Sequence, residues 1–275
     1  MMYSKVYVEI TNKCNRSCSF CPGTNRPSKF LSMEEFQYII GKLKGITEYL
    51  YLHVMGEPLV HPDLAAFIRY ATDNGFHVVL TTNGTLLKKR KEELLSSGVY
   101  KINISLHSFE ENDKGGQEAY ITDAISFADE ASSAGILAIL RLWNEGTDEG
   151  RNDWTLELLK QRFKEAWTAD ARGARIRPKL HLEYGKRFEW PDTEAKDYGN
   201  EVFCYGLKDH FAVLSDGTVI PCCLDREGVI ALGNIFENSI EEILTSNRAM
   251  QIAEGFKHRE AVEDLCKKCG YARRF

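Results

Sequence analysis

Residues 5–21 read Lys-Val-Tyr-Val-Glu-Ile-Thr-Asn-Lys-Cys-Asn-Arg-Ser-Cys-Ser-Phe-Cys. Residues 5–10 have the β-branched and aromatic character of a strand. Cys14, Cys18 and Cys21 follow at once with CxxxCxxC spacing. Three thiolates on one short loop can hold three irons of a 4Fe–4S cluster, which takes four cysteines when fully ligated. One iron is then open to a chelating cofactor, much as a catalytic zinc keeps one position open. No fourth ligand for a zinc ion stands nearby in the sequence.

Working outward, strand-like and helix-like segments alternate. Ser32-Met33-Glu34-Glu35 is a capping box, followed by Phe36, Ile39, Ile40 and Leu43 at helical spacing. Residues 49–55 read as a second strand, and Leu64, Phe67, Ile68 and Ala71 as the stripe of a helix that Gly75 ends. Strands are expected at 76–81, 100–106, 136–143 and 180–184, with helices near 86–96, 118–134 and 153–167 and a polar loop after 106. The strands are near-continuous apolar runs, as expected of parallel strands covered by helices. Repeated βα units give a β/α barrel or a doubly wound sheet, and the expected fold class is α/β with a partial (β/α)6 TIM-like barrel as the leading form. The polar, proline-containing stretch 186–203 suggests a boundary, giving a core domain over 1–190 and a smaller domain over 191–275. There, Phe211–Leu214 and Thr218–Ile220 flank Ser215-Asp216-Gly217 as a hairpin, and a helix is expected near 239–254.

The net charge of −5 lacks the basic footprint of a general nucleic-acid binder, so nucleic acid is not an expected partner. No window approaches the run of about 20 apolar residues that a membrane span needs, and the N-terminus lacks a signal-peptide core. A cytoplasmic, reduced chain is therefore expected, and its eight cysteines read as metal ligands or redox groups rather than disulfides. The remaining five are Cys204, Cys222, Cys223, Cys266 and Cys269. Four thiolates can fully ligate one 4Fe–4S cluster or one zinc ion. A small module of this length would gain folding stability from such a metal.

CxxxCxxC directly after a first strand, with Phe20 before the third cysteine, resembles the signature of the radical S-adenosylmethionine (SAM) superfamily. Met55-Gly56-Glu57-Pro58 resembles that family's GGEP motif, with Met55 in place of the first glycine, and Thr82-Asn83-Gly84 resembles its TNG turn. The C-terminal cysteines resemble the shortened SPASM module called a twitch domain, and the layout is similar to that of 2-deoxy-scyllo-inosamine dehydrogenases. The resemblance implies that Cys14, Cys18 and Cys21 hold the SAM-binding 4Fe–4S cluster, and that Cys204, Cys222, Cys266 and Cys269 hold one auxiliary 4Fe–4S cluster. It implies SAM contacts from Phe20, from the backbone of Met55, Gly56 and Glu57, and from Asn83, Ser105, Arg141 and Asn144 at strand ends. Gly56 would permit close approach of the ligand.

The implied chemistry is removal of a substrate hydrogen atom by a 5′-deoxyadenosyl radical. The substrate is a small molecule or a peptide, and the electron donor is of the flavodoxin or ferredoxin type. Net oxidation through the auxiliary cluster is the leading expectation. A maturase of ribosomally made peptides and a non-enzymatic zinc scaffold are the alternatives. His53 and His107, near strand ends, are either proton carriers or packed side chains. Cys223 is an alternative ligand or a buried bystander. Lys88–Lys91 and the basic run Arg172, Arg175, Arg177 and Lys179 are expected to be solvated, the second having an anionic substrate as its alternative role.

Overall fold

A computed structural model describes residues 2–109, 116–148 and 150–274. Part of the polar loop expected after residue 106 therefore lies outside the described residues. The strands are β1 (Lys5–Val8), β2 (Tyr49–Tyr51), β3 (His77–Thr82), β4 (Lys101–Ser105), β5 (Leu137–Glu145), β6 (Thr168–Asp170), β7 (Gly173–Arg177), β8 (Leu180–Lys186), β9 (His210–Val213), β10 (Thr218–Ile220) and β11 (Gly233–Asn234). The helices are α1 (Met33–Leu43), α2 (Leu64–Asp73), α3 (Leu87–Leu95), α4 (Gln117–Ser133), α5 (Arg151–Arg162), α6 (Ile240–Leu244), α7 (Asn247–Lys257) and α8 (Asp264–Lys267).

One sheet contains all these strands, in the order β11-β10-β9-β1-β2-β3-β4-β5-β8-β7-β6. Strands β1 to β5 and β8 run parallel, as the six strands of a partial (β/α)6 barrel. Their alternate positions divide two environments. Val6, Val8, Leu50, Leu80, Ile104, Leu140 and Leu182 are buried in the apolar core that the helices cover. The intervening positions carry Tyr7, Glu9, Tyr51, Asn103, Ser105, Arg141 and Glu183, which the register sets on one face. The polar interior is thus a property of strand parity.

The C-terminal hairpin joins this sheet directly. β9 pairs in parallel with β1, from Lys5 opposite His210 to Val8 opposite Val213, and β10 folds back on β9. Lys5 Nζ also meets the Asp209 carboxylate at 2.8 Å, which gives Asp209 a role that its sequence context did not suggest.

Both capping boxes form, at Ser32 with Glu35 and at Ser239 with Glu242. The helix expected near 239–254 is broken in two, because Ser246 caps a new helix through its hydroxyl on the Ala249 N–H. The second strand is shorter than expected, ending at Tyr51. The basic run at 172–179 is not a loop: it lies largely in the antiparallel pair β6–β7, which extends the far edge of the sheet. Arg177 there donates to the Asp129 carbonyl and to Ser132 Oγ. Arg90 is likewise no solvated cation, since its Nη1 donates to the carbonyls of Leu59 and His61 at 2.9 Å each.

Candidate functional site

The cysteine loop is closed at its neck. Asn12 donates from Nδ2 to the Pro27 carbonyl and accepts from the Lys29 N–H, each at 2.9 Å, while Leu31 N–H donates to Ile10 O at 2.9 Å. Cys14 and Cys21 are exposed and Cys18 is half-buried. The thiols lie close enough to act on one another. Burial pushes Cys18 up to about 11, and its neighbours Cys21 and Cys14 add to the rise. Cys14 is raised by burial first, while a hydrogen bond from Asn83 opposes it. Thiols that raise each other's pKa are relieved by binding a cationic inorganic core, and thiolate is the ligand that iron–sulfur clusters take.

Three strand ends hold this loop. Asn83, after β3, donates from Nδ2 to Cys14 Sγ at 3.8 Å and to Asn15 Oδ1 at 2.9 Å. Its own amide oxygen accepts from Thr85 N–H at 3.0 Å, so the whole amide serves the loop and the turn. Cys18 Sγ lies 3.6 Å from the Ser108 carbonyl beyond β4. Glu57, after β2, donates its N–H to the Lys13 carbonyl at 2.8 Å.

The Glu57 side chain is buried and faces three donors: Thr82 Oγ1 at 2.7 Å, Asn83 N–H at 2.6 Å and Leu59 N–H at 3.0 Å. Burial pushes its carboxyl up to about 7 against those bonds. Gly56 answers a need different from the expected one. Its φ is +79°, and a Cβ there would sit 2.6 Å from Thr11 O and 2.7 Å from Lys13 O. The close approach is therefore that of the chain's own backbone at the neck of the cysteine loop. The N–H of Met55 is used by Glu9 at 3.0 Å.

Phe20 lies between the His107 ring, 5.3 Å away, and the Arg187 guanidinium, 5.1 Å away. Ser105 ends β4 opposite Arg141 of β5, and its carbonyl accepts from the Tyr120 hydroxyl at 3.1 Å. Tyr120 also donates to Asn83 O at 2.6 Å, so it links the ends of β3 and β4 from α4. Arg141 turns to Glu183, with Nε 3.2 Å from the carboxylate, and its other electrostatic neighbours are Tyr51 and Tyr7. Asn144, beyond Arg141 on the same strand, is buried. Its side chain faces α5, where it exchanges amide hydrogen bonds with Asn152 at 3.1 Å each way, and it is only 1% exposed. Those bonds use one of its two amide hydrogens and one of its two oxygen lone pairs.

His53 and His107 are buried, and burial pushes their pKa values down to about 3 and about 4. His107 Nδ1 lies 3.2 Å from Arg141 O and 3.3 Å from Trp143 N. Burial thus holds both imidazoles toward the neutral form.

The second group of thiols gathers Cys204 before β9, Cys222 after β10, Cys266 on α8 and Cys269 beyond it. Burial raises Cys222 well above the ordinary thiol, and Cys204, Cys223, Cys266 and Cys269 each raise it further. Cys204 is pushed up to about 11 by burial, with Cys269 and Cys223 contributing. The Gly206 N–H donates to Cys204 Sγ at 3.3 Å. Cys223 acts on this group and has a further partner. Its thiol bonds the Tyr7 hydroxyl and packs in an apolar cluster with Val54, Met55 and Ile220. Among the described residues no three His, Cys, Asp or Glu side chains converge as around a single metal ion. Thiolates on separate corners of a cubane need no such common point.

Glu9 joins the two groups and escaped sequence reading. Its fully buried carboxylate accepts from Arg26 at 2.7 Å, from Met55 N–H at 3.0 Å, and from the N–H and hydroxyl of Ser215 at 3.2 and 2.9 Å.

Comparison with known proteins bears on this arrangement. Residues 8–144 match the family model of the radical SAM superfamily, and residues 204–270 match SPASM, an iron–sulfur cluster-binding domain. The chain is 36% identical over 102 residues to AdoMet-dependent heme synthase of Methanosarcina barkeri, a match covering 36% of this chain and only 29% of that relative. It is 26% identical over 282 residues to a probable GTP 3′,8-cyclase of Methanocella arvoryzae, covering 88% of each. Among solved structures, BtrN in complex with AdoMet and 2-DOIA has the same fold, with a TM-score of 0.62 at 18% identity over 98% of this chain and 93% of that one.

Proposed function

Because the chain belongs to the radical SAM superfamily and carries a SPASM domain, an enzyme with a 4Fe–4S cluster in each domain and SAM as cofactor, we propose that it oxidises its substrate by one hydrogen atom and one further electron and proton. When bound, the cofactors supply a carbon radical that takes the hydrogen atom and an iron–sulfur acceptor for the electron. The assigned ligands are Cys14, Cys18 and Cys21 for the SAM-binding cluster, and Cys204, Cys222, Cys266 and Cys269 for the auxiliary one. The core domain runs to residue 190 and the auxiliary domain begins at 191.

The chain's own residues would act as follows. Asn83 orients Cys14, and Asn12 closes the loop that carries the three thiols. The N–H groups of Met55 and Glu57 are spent on Glu9 and Lys13, so this turn meets an ammonium group through its carbonyls. Phe20 offers a ring for adenine, and Ser105 a hydroxyl for ribose or carboxylate. Arg141 is left to the substrate side of the barrel, since it is paired there with Glu183.

The observation that carries the oxidative reading is the adjacency of Cys222 and Cys223. The first thiol sits among Cys204, Cys266 and Cys269, while the next bonds Tyr7, on the polar face of β1. A thiol-only site thus abuts the space where a substrate would lie.

Protein purified without oxygen should be brown, hold iron for two cubanes, and release 5′-deoxyadenosine when reduced with SAM present. Cys14→Ala/Cys18→Ala/Cys21→Ala should abolish release and keep the auxiliary absorbance. SAM cleavage that survives this triple substitution would refute the assignment. Oxidation itself is read by mass spectrometry, as a product two hydrogens lighter than the substrate.

A further inference from the structure

Two guanidinium groups rest on one indole at the mouth of the barrel. Arg141 lies with its guanidinium carbon 4.6 Å from the centre of Trp143, and Arg274 lies 5.7 Å from it. Arg274 comes from the 3-10 turn Tyr271–Arg274 and also lies 5.9 Å from Phe188 and 5.4 Å from Tyr271. β8 is bare where they meet. A Cβ on Gly185 would stand 3.1 Å from Trp143 and 3.2 Å from Arg274 Nη2.

The charges here do not balance. Glu183 takes Arg141 through Nε at 3.2 Å and lies 3.9 Å from Arg172 as well. Lys101 is part of the same field: burial first, then Arg141, holds its pKa down. Glu183 therefore serves three cations, Arg141, Arg172 and Lys101, while Arg274 rests on ring faces. The aromatic faces compensate in part, through the attraction of a cation to the ring quadrupole. A guanidinium held by a ring face keeps its N–H edge for other partners. The Glu183 bond uses the Nε edge of Arg141, so the opposite edge of the planar guanidinium, at Nη1, points away from that carboxylate.

We propose that this mouth binds an anionic group of the substrate, a phosphate or a carboxylate, between Arg141 and Arg274. The substrate is accordingly an acidic small molecule, held by its anion while its reacting carbon lies within the barrel. Guanidinium forks match both anions in bidentate geometry. The substrate assignment rests on the radical SAM reading above; the anion site itself does not.

The test is calorimetric titration of the anaerobically prepared holoenzyme, at low salt, with inorganic triphosphate and separately with citrate. At least one should bind saturably, and the two arms distinguish phosphate from carboxylate. Arg274→Gln should weaken that binding about tenfold, the order of one charge-assisted hydrogen bond. Trp143→Leu should weaken it too, while Trp143→Phe and Arg274→Lys retain part of it. Lys88→Gln, at a largely exposed side chain, should change nothing. Absence of binding by both anions, or equal affinity in wild type and Arg274→Gln, overturns the proposal. Arg274-dependent binding of an oligoglutamate peptide without binding of either small anion also overturns it, in favour of a peptide substrate. Release of 5′-deoxyadenosine is measured in the same samples. Release without anion binding removes only this inference, whereas anion binding without release removes the radical reading and with it the substrate assignment.

Discussion

Gly56 is the tightest joint near the cysteine loop, with φ +79° and two carbonyl oxygens inside the reach of any Cβ. Gly56→Ala should cost roughly 1–3 kcal/mol from overpacking and left-handed strain together, read as a lower urea midpoint. The buried imidazoles make a second prediction. Between pH 4.5 and 6.5 the unfolded chain carries protons on His53 and His107 that the native state, at about 3 and about 4, does not. In the same window native Glu57, at about 7, keeps a proton that the unfolded chain has lost. These three groups leave one more proton on the unfolded chain, so stability rises with pH there, on the order of 1 kcal/mol per unit. His53→Gln should shrink the difference between urea midpoints at pH 7 and pH 5; an undiminished difference would contradict this. The groupings Cys14–Cys18–Cys21 and Cys266–Cys269 were legible because each is written as a short spacing. Glu9, Tyr120 and Asn152 were not, because each acts through partners that only the fold brings near. The Asn144–Asn152 exchange was hidden too, because a strand-end position does not reveal which face it occupies.

Glu9 ties the end of β1 to Met55 beyond β2 and to Ser215 in the turn between β9 and β10. Glu9→Gln leaves Arg26 with its buried partner neutralised and should cost about 3–5 kcal/mol. Ser215→Ala removes one hydroxyl bond and should cost about 1 kcal/mol. Equal urea midpoints for the two variants would contradict this account of the joint. At this scale the helices were readable from apolar stripes and capping boxes, whose chemistry is local. The β6–β7 pair was not, since β6 is exposed throughout and β7 buries little beyond Ile176. The break between α6 and α7 was also missed, because Ser246 can cap a helix or sit within one with equal sequence logic.

The parallel barrel strands were foreseeable from apolar runs alternating with helices, yet the attachment of the C-terminal hairpin to β1 was not. No local signal pairs Lys5 with His210; only the completed sheet does. A chain stopped at Phe203 would lack β9 and leave the edge of β1 unpaired. It should aggregate on expression, and a monodisperse monomer by size-exclusion chromatography would show that the edge is tolerated. The same pairing has a consequence for biosynthesis. A ribosome delivers β1 long before β9. Until β9 emerges, the nascent strand β1 waits without one of its two neighbours. Its folding is closed late, by a partner distant in sequence, and an edge left open in that interval invites wrong pairings.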